Sequence, residues 1–253
     1  MAGVIALANQ KGGVAKTTSA HALGVALAEQ GQRVLLVDLD PQACLTFSNG
    51  IDPDSLTVSM HDVMLERASV ADVVRIVGDL HLLPSSIDLA GAEIHLLSRT
   101  GREYVLRRAL LPVRDRYDVV LIDCPPSLGI LTINGLTAAD DVLIPQQCET
   151  LSHRGVGQLL ETIDDVRAYT NPELRILGVI ATMYDSRTRL AQRMIEAVRE
   201  SYGLRVLEPP VPKSVRVAEA PAVGASILTH APSSKVADAY RELASQLLAP
   251  AVR

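Results

Sequence analysis

Short, continuous apolar runs alternate along this chain with longer stretches in which apolar residues return at helical spacing. The runs Val4–Ala8, Val34–Val37, Val119–Ile122, Val142–Ile144 and Ile176–Ala181 are rich in Val, Ile and Leu. Such runs suit strands buried on both faces of a parallel sheet. Between them, Leu23 with Leu27, Leu106 with Leu110, and Ile195 with Val198 each mark one apolar helix face, and Val236, Tyr240, Leu243 and Leu247 mark another near the end. The alternation predicts an α/β fold, a doubly wound, mostly parallel sheet flanked by helices. Ligands bind such sheets beyond the carboxyl ends of the strands, so the chemistry is expected in the segments that follow the runs. Pro209–Pro212 reads as an ordered turn rather than a linker, because a helical pattern resumes after it.

No linker-like stretch divides the 253 residues, which predicts a single domain over 1–253. A hydrophobic share of 48% against 21% charged residues is enough to fill a core, so disorder is not expected. The net charge of -5 argues against a molecule that is basic as a whole; any DNA contact must come from a local patch or from patches joined by assembly. Cys44, Cys124 and Cys148 form no Cys-x-x-Cys pair, which argues against a disulfide framework, a zinc site or a cluster and suits reduced thiols in a cytoplasm. With no apolar run long enough to cross a bilayer and no charged leader before Val4, neither membrane insertion nor a secretory signal is expected.

Directly after the first run comes Asn9-Gln10-Lys11-Gly12-Gly13-Val14-Ala15-Lys16-Thr17-Thr18, with a helical pattern opening at its end. Glycines let backbone N–H groups turn inward around phosphate oxygens, and the helix N-terminus favours the anion. Lys16 can then reach the β- and γ-phosphates and the Thr17 hydroxyl can ligate Mg²⁺. A dinucleotide loop would need Gly-x-Gly-x-x-Gly, which is absent. Two further runs end in carboxylates, Asp38-Leu39-Asp40-Pro41-Gln42 and Asp123-Cys124-Pro125-Pro126-Ser127. Carboxylates at these strand ends can hold Mg²⁺ and orient an attacking water. Asp38 stays open between that role and a turn residue.

Lys11 and Lys16 in Lys-Gly-Gly-x-x-Lys-Thr resemble the deviant Walker A motif of the ParA/MinD superfamily. Similar ParA/Soj stretches recur at Asp123–Ser127, Leu131–Asn134, Thr182–Thr188 and Pro212–Pro221, so the likeness covers nearly the whole chain. It implies a P-loop NTPase that binds ATP and Mg²⁺ and dimerises on ATP, with Lys11 reaching across to the partner's nucleotide. Asp40 would support hydrolysis and the metal, Asp123 would serve the metal, and Pro212 with Ser214 would contact the base. Two positions depart from the pattern: Ala15 replaces the usual glycine, and Ser214 stands where many relatives carry asparagine.

Arg187, Arg189 and Arg193 are expected to begin a helix, and Arg216 lies beyond the proline turn. The resemblance implies sequence-independent DNA binding through Arg187 and Arg216, with Arg189 beside them, and counterion release supplies the physical reason. The residues alone favour a solvated face with local Asp and Glu partners, and it is the resemblance that turns the reading toward DNA. The resemblance further implies a ParB/Spo0J-like partner and a cytoplasmic, nucleoid-associated protein. Two rivals remain. A small-molecule enzyme such as dethiobiotin synthetase shares this kind of P-loop. A MinD-like membrane-positioning ATPase would end in a basic amphipathic helix, whereas the tail from Leu247 is broken by Pro250 and has little charge.

Overall fold

The computed structural model describes residues 3–148 and 153–249. Its strands are β1 (Gly3–Leu7), β2 (Val34–Asp38), β3 (Arg75–Val77), β4 (Leu80–Leu83), β5 (Val119–Asp123), β6 (Asp141–Gln147), β7 (Arg175–Thr182) and β8 (Val206–Leu207). They form one eight-stranded sheet in the order β3-β4-β2-β5-β1-β6-β7-β8. Only the β3–β4 pair is antiparallel.

The five apolar runs of the sequence became β1, β2, β5, β6 and β7, with ends shifted by a residue or more. Alternate residues of these strands feed two cores. Val4, Ala6, Leu35, Val37, Val120 and Ile122 point to one face, while Ile5, Leu7, Val34, Leu36, Val119 and Leu121 point to the other. The first face is covered by the helices Ile130–Ala138, His153–Tyr169 and Arg189–Tyr202, through residues such as Leu131, Leu159 and Val198. The second is covered by Lys16–Glu29 and Lys235–Leu248, through Leu23, Leu27, Tyr240 and Leu243. Burying each such Leu is worth roughly 1.5–3 kcal/mol, so the central strands β1, β2 and β5 are held from both sides, whereas the edge strand β3 leaves Ile76 exposed. A Cβ at Gly24 would lie 2.7 Å from Leu36 Cδ2, which explains why the first helix can rest directly on β2.

Strand register levels the chemistry. Leu7 and Asp38 both pair with Asp123, so the carboxyl ends of β1, β2 and β5 finish side by side. The glycine loop after β1 and both acidic segments therefore emerge at one edge, where β1 lies between β5 and β6 and the strand order reverses. The Pro209–Pro212 segment is an ordered connection. Val211 N–H donates to Ala181 O (2.7 Å), Tyr184 N–H donates to Val211 O (2.9 Å), and Tyr184 bridges to Pro212 in parallel fashion. Among the described residues, no helix is long and apolar enough to cross a membrane. The tail from Pro250 lies outside them.

Candidate nucleotide and metal site

The loop is anchored by a buried amide before it is shaped by glycine. Asn9 Nδ2 donates to Pro145 O and to Gln146 Oε1 (2.8 Å each), and its Oδ1 accepts the Lys11 N–H (3.0 Å), which ties the loop to the end of β6. Gly13 then turns left-handed at φ 74°. Val14 is buried, and its carbonyl accepts the Thr182 hydroxyl of β7 (3.0 Å). Ala15 is also left-handed, at φ 68° and ψ 34°, and the helix starts at Lys16. The departure from the usual glycine thus falls where a Cβ is strained. We expect Ala15→Gly to raise the unfolding free energy by roughly 0.5–1 kcal/mol, seen as a higher urea midpoint at unchanged slope. A lower midpoint would show that methyl packing outweighs the strain.

Lys16 is only 7% exposed, and its Nζ donates to Lys11 O (3.2 Å) across the loop. Burial lowers its pKa, against the opposing pull of the Asp123 and Asp40 carboxylates. Asp123, the last residue of β5, is 1% exposed. Its carboxyl pKa is raised well above the usual range, by burial first and by neighbouring Asp38 second; Thr17 and Lys16 act the other way. The Thr17 side chain lies beside it, yet neither carboxylate oxygen accepts a bond of normal geometry. Two buried acceptor atoms without donors are what a hard cation with oxygen ligands would satisfy, so the residues fit Mg²⁺ here.

Asp38 reads differently. Its Oδ2 accepts the Thr46 N–H (2.8 Å) and hydroxyl (2.7 Å), and its Oδ1 accepts the Asp40 N–H (3.2 Å). Burial pushes its pKa up to about 6 against these bonds. Both oxygens are engaged in holding the turn into the helix Cys44–Ser48, which favours the turn reading of this residue. Asp40 is only half-buried, accepts the Gln42 N–H (2.9 Å), and opens onto the cavity.

That cavity has a volume of about 880 Å³, within the range of small-ligand sites. Gly12, Gly13, Ala15, Lys16, Thr17 and Thr18 line it. Pro212 and Ser214 also line it, with Phe47, Pro53 and Val215. Lys11 and Val14 do not line it. The Lys11 ammonium instead meets Gln147 Oε1 (3.3 Å). Phe47 escaped the sequence reading because a lone apolar residue in a short helix carries no period.

The candidate DNA-contacting residues Arg187, Arg189, Arg193 and Arg216 are all exposed. The helix begins at Arg189, capped by Thr188, so Arg187 precedes it in a loop rather than starting it. Arg187 binds Asp185 with two bonds (2.9 and 2.8 Å), and those bonds hold the Asp185 carboxyl down at about 2. The alternative of a local acidic partner therefore describes Arg187 in this structure. The Tyr184–Pro212 bridge brings its loop beside the segment that carries Arg216.

Comparison with known proteins agrees with this geometry. A family model described as an AAA domain matches residues 2–176. The sporulation initiation inhibitor protein Soj of Bacillus subtilis is 44% identical over 98% of this chain and 99% of its own length. The chromosome partitioning protein ParA of Caulobacter vibrioides is 43% identical over 97% of this chain and 93% of its own. A Mycobacterium smegmatis structure described as cobyrinic acid a,c-diamide synthase with bound ADP and magnesium superposes with a TM-score of 0.89 at 54% identity, covering 98% of this chain and 94% of that one. The sheet order, the loop and these relatives together make the chain a member of the ParA/Soj family of ParA/MinD-type P-loop proteins.

Proposed function

We propose that this chain is a single-domain, ATP-dependent switch for DNA segregation, which dimerises on MgATP, grips DNA without reading its sequence, and resets by slow hydrolysis. In this reading the loop N–H groups and Lys16 hold the β- and γ-phosphates. Thr17 and Asp123, with Asp40 nearby, hold Mg²⁺, which neutralises phosphate charge when bound. Asp40 orients the attacking water from the cavity wall. Lys11, turned away from its own cavity, reaches the nucleotide of a second copy. A ParB/Spo0J-like protein accelerates hydrolysis, and the protein works in the cytoplasm on the nucleoid.

The Tyr184–Pro212 bridge is the observation that carries this reading. Residues 211–215, 217 and 218 line the cavity, and the same segment bears Arg216 and abuts the loop of Arg187. Filling the cavity can therefore reposition the arginines. The test is DNA binding on unrelated duplexes with ATP, with ADP and without nucleotide, across a salt series. The wild type should bind only with ATP and lose affinity steeply with salt, each phosphate contact adding about -0.9 to the log–log slope. Changing Arg187 and Arg216 together to Glu should abolish DNA binding while ATP affinity stays within about twofold of wild type. Equal DNA binding by the double variant would remove the arginines from the interface.

The 54% identity to the Mycobacterium smegmatis structure raises a second reading, ATP-driven amidation of a small acid. Taking ammonia from glutamine calls for an activated thiolate or hydroxyl. Burial raises the pKa of all three thiols, Cys148 to about 11, so none is poised as a nucleophile. The partition reading is favoured.

A further inference from the structure

The helix Cys44–Ser48 buries Leu45 in the core but leaves its one aromatic residue outside. Its polar Thr46 and Ser48 are buried, with Asn49 just beyond, whereas Phe47 is 54% exposed. The polar residues have reasons to be inside. Thr46 donates to Asp38 and accepts the Ser85 N–H (2.8 Å), Ser48 Oγ donates to Cys44 O (2.6 Å), and Asn49 Nδ2 donates to Leu45 O (2.8 Å). Nothing comparable accounts for an aromatic ring on the outer side. Phe47 is the only phenylalanine in the sequence, and there is no tryptophan, so the molecule's largest apolar ring is spent at a half-open position. A residue that breaks the inside–outside pattern without local compensation marks a functional position.

Two separate segments line the nucleotide cavity here, one with Phe47 and Pro53 and one with Pro212 and Val215. Val215 is itself 76% exposed. The two walls cannot drift apart freely, since a Cβ on Gly224 would come within 2.8 Å of Gly50 Cα. The turn that follows the Pro212 segment is thus in backbone contact with the end of the Phe47 helix. Two apolar walls, held close at their base and open between, make a slot for a flat aromatic guest. Lys213 and Ser214 beside Pro212, and Ser48 beside Phe47, give the edge of the guest polar neighbours, while the Phe47 ring is the aromatic surface available to its face.

Resting on the nucleotide reading above, we propose that Phe47 is the stacking platform for the nucleobase, closing on it against Pro212 and Val215. The ring contributes affinity for the base and none for the phosphates. Base–aromatic stacking of this kind changes affinity by about 5- to 100-fold.

The test compares MgATP, MgADP and inorganic tripolyphosphate by calorimetry on the full chain. Phe47→Ala should weaken ATP and ADP alike by that factor and leave tripolyphosphate affinity unchanged. Phe47→Trp should keep nucleotide affinity and gives the chain a single tryptophan, whose emission should be quenched by ADP and ATP but not by tripolyphosphate. ATP and ADP binding by Phe47→Ala within about twofold of wild type would overturn the inference. So would a matching loss for tripolyphosphate, or an effect confined to ATP, which would place the ring at a contact between copies. A wild type that binds neither ATP nor tripolyphosphate is a different result: it would bring down the nucleotide reading itself, and the stacking role with it.

Discussion

Replacing Lys16 by Ala should reduce affinity for MgATP and MgADP by more than about 100-fold, the largest loss we expect from any single change at the loop. The ammonium sits in a nearly closed position, held to Lys11 O and flanked by the carboxylates of Asp123 and Asp40. A nucleotide would bring polyphosphate charge into the same space. Without Lys16 the backbone N–H groups and the helix N-terminus remain, but their partial charges cannot balance both the phosphates and Asp123. Breaking a buried charge pair by removing one partner costs about 3–5 kcal/mol, which sets the scale of the loss. Lys16→Arg should fail nearly as badly, because a planar guanidinium does not fit a site shaped around a point charge. Calorimetric titration is the measurement, with circular dichroism to establish that the variant folds. Affinity within threefold of wild type would mean that the cavity binds something other than a polyphosphate.

What could be read from the sequence follows from where the signal is local. The five long runs declared themselves because strands buried on two faces are continuously apolar, as in Val34 to Val37. β4 hid because His81 interrupts Leu80 to Leu83; in the structure that histidine bonds the Tyr117 hydroxyl through Nδ1 (2.8 Å), a contact set by the fold rather than by spacing. β3 and β8 are three and two residues long at the two edges of the sheet, too short for any period to show. The phosphate loop was legible because its residues are contiguous and its chemistry is backbone chemistry. Three features were not. The engagement of both Asp38 oxygens depends on Thr46, a partner that only folding brings to it. The direction of Lys11 depends on Gln147 across the sheet edge. The pairing of Arg187 with Asp185 was available to sequence reasoning as a general alternative but not as a geometry.

Asp123→Asn should separate the stability of the empty protein from its function. In the wild type both carboxylate oxygens are buried without a donor, beside Asp38 and with only Lys16 as a nearby cation. An ionised group in that setting opposes folding, since burying charge without hydrogen bonds is costly. Asparagine keeps the shape and removes the charge. The nucleotide-free variant is therefore expected to be more stable than the wild type by about 1–3 kcal/mol, with a higher urea midpoint. The same change takes away a hard anionic oxygen where Mg²⁺ would be held next to Thr17. Magnesium should then no longer strengthen ATP binding, and hydrolysis should fall by at least about 100-fold, the scale of losing charge stabilisation at a transferring phosphoryl group. The two effects have opposite signs, which distinguishes a metal-holding carboxylate from a structural one: loss of a structural carboxylate would lower stability. The decisive comparison is urea unfolding of wild type and variant without nucleotide, then with ATP in the presence of magnesium and of a chelator. A variant less stable than wild type when empty, or one whose ATP affinity still rises with magnesium, would move the metal away from Asp123.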